Sequence, residues 1–254
     1  MPRIQQIFFI AIFSLTAAIS SGQDSLFSVV NLCNRVQDVT VWLNVFSNDP
    51  AFANAKNAIE KAAIDKNEHG VMFGRDASGK MIHSGIVSEK TRNASSVNIN
   101  FPGAFADMHN HPGNTAPSAG DIYNLIKVNR HHSAFDTRCA MLANGTIYAI
   151  VITDRQKADS FISKYPPEQT AGYSPRFPEK LFSEFAEIKS YLINIQEMDR
   201  MKADEIATAF ILDKYNCGVD LFLYDGSKRF SRVVVREMIS GNGNRFYQME
   251  LCAE

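Results

Sequence analysis

The chain has 254 residues, 45% of them hydrophobic and 21% charged, with 26 Lys plus Arg set against 27 Asp plus Glu. This balance excludes a disordered chain, which combines few apolar residues with a high net charge, and it lacks the basic excess of a general nucleic-acid binder. The length suffices for one sizeable core with room for an appended subdomain.

Residues 1–22 carry the pattern of a secretory signal peptide. Arg3 precedes an apolar run over 7–19, and Ser20 and Gly22 suit the small-residue positions before a cut ahead of Gln23. The run is shorter than the about 20 residues of a membrane span, so cleavage leaves no stable anchor. The expected location is secreted or periplasmic. Cys33, Cys139, Cys217 and Cys252 follow the leader. Export permits disulfides, and four cysteines allow three complete pairings. Cys139 and Cys217 lie beside predicted strands, where a buried free thiol is an equal expectation.

Between 24 and 46 the periodicity decides for neither helix nor strand. Asn48-Asp49-Pro50 is a helix start signal ahead of an alanine-rich helix over 51–63. Strands are predicted over 70–74 and 81–87, joined by hairpin-turn residues, with a short strand over 97–99. A further strand over 105–108 ends at two histidines, a Pro/Gly/Asn/Ser loop follows, and Asp121 opens an amphipathic helix. Asn144-Gly145 marks the turn of a hairpin between 139–142 and 146–152. A helix is expected over 156–164. The turn-rich stretch 166–178 divides a core of 23–165 from a C-terminal extension of 179–254. That extension has helical spacing over 179–215 and strands over 219–224, 231–235 and 246–251, either separate or packed on the same core. The fold class is α/β of the α+β kind, a mixed β-sheet flanked by helices with a helix-plus-strand extension.

The chemistry concentrates in His109-Asn110-His111-Pro112 and in Ser118 and Asp121. Two histidines two apart on a strand point the same way, because side chains alternate faces. Two imidazoles and one carboxylate form a three-ligand set that leaves a zinc ion one open position, the arrangement of a hydrolytic site and not of a closed structural one. Ser118 is also a preferred helix cap, and Asp121 in a first turn suits the helix dipole. His69, His83, His131 and His132 receive no metal role.

With Ser118-Ala119-Gly120-Asp121 behind it and a glutamate ahead of it, this HxHP stretch resembles the JAMM (MPN+/JAB) metalloprotease motif, and its HNHP form is similar to the RadC branch. The resemblance covers about residues 50–155. It implies a JAB/MPN-like sheet and a Zn2+ ion held by His109, His111 and Asp121. It implies a glutamate as general base and Ser118 hydrogen-bonding the metal water or the oxyanion. Glu68 leads into the strand ahead of the histidines and is the expected base; Glu60, within the predicted helix, is the alternative. The loop from Pro112 to Pro117 has six residues where the family usually has seven, and Glu68 stands in an ExG where the family often shows ExxG. The implied activity is hydrolysis of peptide or isopeptide bonds in a protein or peptide substrate, cell-wall peptides among them. The alternative is a non-catalytic MPN-like binding or scaffold module. Export and near-neutral charge speak against a role near nucleic acid.

Overall fold

The computed structural model describes residues 33, 36–88, 99–171, 173–227 and 229–252. The predicted leader and the first two residues of the predicted 97–99 strand lie outside them. Most of the first half of the 24–46 stretch, whose periodicity decides for neither element, lies outside the described residues; helix α1 (Gln37–Asn48) occupies the second half. Its buried positions Thr40, Leu43 and Ser47 recur every three to four residues, but exposed Val41 and Val45 blur that stripe in the sequence. Asp49 caps α2 (Pro50–Ala62), its side chain accepting from the Ala51 N–H at 2.8 Å, with Pro50 in the first turn.

The strands are β1 (His69–Arg75), β2 (Met81–His83), β3 (Val87–Ser88) and β4 (Ala106–His111). Helix α3 (Ala119–His131) leads to β5 (Thr137–Leu142) and β6 (Ile147–Ile152). After α4 (Arg155–Lys164), α5 (Glu179–Asn194) and α6 (Arg200–Lys214) come β7 (Val219–Tyr224), β8 (Phe230–Ile239) and β9 (Arg245–Leu251). They form a nine-stranded sheet in the order β2-β1-β4-β5-β6-β7-β8-β9, with β3 also paired to β1. Only β4 and β5 run parallel, and α3 makes the crossover that a parallel pair requires. Because β7 pairs with β6, the chain beyond residue 178 extends the same sheet.

Two boundaries differ from expectation. The strand predicted to end at Met108 runs on through both histidines, because β5 pairs with all six residues from Ala106 to His111. The strand predicted over 81–87 is broken: the Ser84 hydroxyl takes the Met72 N–H at 2.9 Å, replacing a backbone acceptor and ending β2.

The sheet separates two apolar layers by the period-2 rule. In β6, Ile147, Ala149 and Val151 pack with α1 and α2, whereas Tyr148 and Ile150 pack with α3, α5 and α6. In β4, Ala106 and Met108 belong to the α1/α2 side, so Asp107, His109 and His111 face the α3 side. A disulfide joins Cys33, ahead of α1, to Cys252 after β9, and Cys139 and Cys217 are buried free thiols. No helix among the described residues is long and apolar enough to cross a membrane.

Asp136, just before β5, is a half-buried acid; burial raises its carboxyl to about 6, against a bond from the Thr137 hydroxyl. Below about pH 4 the acid is protonated in both folded and unfolded chains and has no effect on stability. Between about pH 4 and 6 the folded chain keeps a proton that the unfolded chain releases, so stability falls as pH rises. Asp136→Asn keeps the acceptor for Thr137 and removes the charge. It should therefore raise unfolding free energy by about 1–3 kcal/mol at pH 7.5 and leave it unchanged at pH 3.5. Denaturant titrations at the two pH values check this; an equal gain at both would refute it.

Candidate metal centre

The site is built by register. Across the α3 face of the sheet, Gly70, His109, Ala140 and Tyr148 stand side by side on β1, β4, β5 and β6. The neighbours of His109 thus contribute a hydrogen and a methyl group, which leaves space for its imidazole. Glu68 lies two residues before Gly70, and the antiparallel register carries it opposite His111 on the same face. The N-terminal turn of α3 then lays Asp121 over the two histidines.

All four groups are buried. The Nε2 atoms of His109 and His111 are 2.9 Å apart. Asp121 Oδ1 is 3.2 Å from His109 Nε2, and its Oδ2 is 3.5 Å from His111 Nε2. Glu68 Oε1 is 3.9 Å from both Nε2 atoms. Glu68, His109 and His111 offer ligand atoms all within 4.8 Å of one another, a buried triad that can hold a metal ion. Ligand atoms about 2.0–2.1 Å from a tetrahedral zinc ion lie about 3.3 Å from each other, so the spacing fits such an ion. The His111 Nδ1 faces the Thr115 carbonyl oxygen at 2.8 Å. A proton held there leaves the Nε2 lone pair free for a metal. The His109 Nδ1 is buried and has no hydrogen-bond partner among the described residues.

Charge balance within the cluster is tight. Burial pushes the Asp121 carboxyl up, but the two histidines beside it outweigh burial and hold it well below the usual range. Burial pulls the His111 imidazolium down, and Asp121, the Thr115 carbonyl and Glu68 together more than offset this, so its pKa lies above the ordinary value. For Glu68 burial wins and the carboxyl is raised. An upward-shifted carboxylate beside an electrophilic centre suits proton transfer.

The five residues singled out in the sequence come together, with different partners. Ser118 caps α3: its hydroxyl donates to Asp121 Oδ2 at 2.7 Å and accepts from the Asp121 N–H at 3.3 Å. The Ser118 N–H also donates to Oδ2 at 2.7 Å, which completes a capping box. Glu60 is elsewhere, on α2, paired with Lys56 at 2.5 Å and partly exposed. His69 bonds Asp65 at 2.8 Å, His83 faces the Ser84 carbonyl, and His131 and His132 close α3 in exposed positions.

Three further residues support the centre. Asn110 points away from it, yet its Oδ1 accepts from the His69 N–H at 2.7 Å and its Nδ2 donates to the Asn67 carbonyl at 3.0 Å. These bonds grip the backbone on both sides of Glu68. Arg138, beside Asp107 in the parallel pair, holds it with two contacts of 3.1 Å, while its Nη1 lies 3.8 Å from Asp121 Oδ1. Burial disfavours the guanidinium charge, and Asp107 and Asp121 more than offset this. The odd-numbered alternation of Asp107, His109 and His111 was a signal for Asp107; nothing local pointed to Arg138. No protein-family model and no curated protein matches the chain.

Proposed function

We propose that the chain is an exported zinc-dependent hydrolase of peptide or isopeptide bonds, with a site of the JAMM type. The observation that carries this reading is the convergence of Glu68, His109, His111 and Asp121 in one buried cluster. The cluster sits at the C-terminal end of β4, beside its parallel partner β5 and under the N-terminus of α3, the kind of place where open α/β sheets bind ligands. The leader pattern of residues 1–22 supports export.

His109, His111 and Asp121 are assigned as the ligands, because Asp121 approaches both imidazoles more closely than Glu68 does. Zinc bound there supplies Lewis acidity toward a carbonyl oxygen and makes hydroxide accessible near neutrality. Glu68 takes the proton of the attacking water and delivers it to the leaving amine. Arg138 balances the ligand carboxylate. Ser118 donates a hydrogen bond from its hydroxyl to Asp121, so it orients that ligand, and it reaches an oxyanion only by releasing this bond.

Metal analysis of purified residues 23–254 tests the reading. We expect one zinc per chain, lost in a His109→Ala/His111→Ala variant, together with cleavage of members of a peptide and isopeptide panel. Zinc without turnover on any member would favour a binding module, and no zinc after reconstitution would remove the site altogether.

A further inference from the structure

A groove of about 320 Å³ adjoins the metal centre. One wall is the 115–120 stretch, where the loop after β4 runs into α3, and the other is formed by α5 and α6. On α5, Phe182, Phe185 and Lys189 follow one another at helical spacing along a single face; Asp204 and Thr208 do the same on α6. Phe177 closes the groove from the 174–177 strap, its ring 6.2 Å from that of Phe185 and 6.0 Å from that of Tyr123 on α3. The strap lies hard against α3: a Cβ at Gly120 would stand 2.9 Å from Ser174 Cβ. Glycine at this position therefore lets the C-terminal half of the chain reach the edge of the site.

We infer that this groove is the subsite for one large apolar side chain, aromatic above all, of the peptide bound at the metal centre. The inference rests on the hydrolase reading and adds the substrate class. Three phenyl rings line the groove, and Lys189, the ammonium within it, is already matched by Asp204. Arg176 also lines the groove, so a cationic side chain would meet a like charge and no free carboxylate, whereas an apolar one gains by leaving water. The volume is at the small end of ligand pockets, enough for one bulky side chain and too little for a folded segment. Reach is suitable as well. Ser118 borders the groove, its hydroxyl lies 2.7 Å from Asp121, and Asp121 lies 3.5 Å from His111. Phe182 sits at the rim, 46% exposed, so replacing it does not open the core.

Two hydroxamates that anchor on zinc and differ only by a benzyl group test the subsite: N-acetyl-phenylalanine hydroxamate and N-acetyl-glycine hydroxamate. Their affinities for the zinc-loaded chain, 23–254, are measured by calorimetry beside Phe182→Ala and Phe182→Asp. The phenylalanine compound should bind about 10- to 100-fold tighter, the gain expected for burying one aromatic side chain. Most of that advantage should vanish in Phe182→Asp, with glycine-compound affinity and zinc content unchanged. Equal affinities in the native chain, or an advantage that survives both substitutions, would overturn the subsite while leaving the metal centre standing. Failure of both compounds to bind a zinc-loaded chain would overturn the metal-centre reading and the subsite with it.

Discussion

Glu68→Gln should abolish turnover while leaving zinc in place. Losing a positioned general base costs about 10²- to 10⁴-fold, and glutamine matches the shape of glutamate without accepting a proton at neutral pH. The same variant decides between the two ligand sets that the geometry allows. With His109, His111 and Asp121 as ligands, Glu68→Gln keeps zinc affinity and Asp121→Asn weakens it. With the triad of Glu68, His109 and His111, the pattern reverses. Zinc stoichiometry and competition with a chromogenic chelator, run beside a turnover assay, read both quantities. Full activity in Glu68→Gln would end its assignment as base. Asn110→Ala is the informative companion, since it frees the backbone on either side of Glu68 without touching the metal. It should lower kcat with zinc content intact, because a base displaced by about 1 Å loses much of its effect.

Arg138→Ala should be the most destabilising single substitution in the site. Arg138 and Asp107 are 5% and 3% exposed, and among the described residues no other cation bridges Asp107. Removing the guanidinium leaves a buried carboxylate uncompensated, which costs about 3–5 kcal/mol. The paired change Arg138→Met/Asp107→Leu removes both charges at similar volume and should restore most of that loss, since buried ion pairs contribute little beyond an apolar replacement. Thermal or urea denaturation of the three proteins checks the prediction. A loss below about 1 kcal/mol in Arg138→Ala would mean that water reaches Asp107 and that the pair is not sealed. Arg138→Lys should restore charge but only part of the stability, because an ammonium cannot make both contacts to one carboxylate in the fork geometry.

Much of the centre was legible because its signals are local. The His-x-His spacing places both imidazoles on one face of any strand, and Ser118 three residues before Asp121 writes a helix start into the sequence. The hairpin at Asn144-Gly145 and the α2 start at Asp49-Pro50 are equally short-range, and both formed as the residues imply. The histidines stand at the end of β4 as expected, but inside its ladder rather than just past it, since apolar content falls at His109 while the pairing with β5 does not.

Other features depend on partners far along the chain. Whether Glu60 or Glu68 serves the centre is set by the register of β1 against β4, about forty residues away in sequence, which no local period encodes. Arg138 reaches Asp107 only because β5 lies parallel to β4. The pairing of Cys33 with Cys252, leaving Cys139 and Cys217 free, follows from where α1 and β9 come to rest. The sequence by itself determined the donor atoms and the faces they occupy, because side-chain direction is dictated by backbone period within a few residues. Only the tertiary structure decided which glutamate joins them, which arginine balances them and which aromatic groove stands beside them, because strand register and helix packing are set by burial summed over the whole sheet.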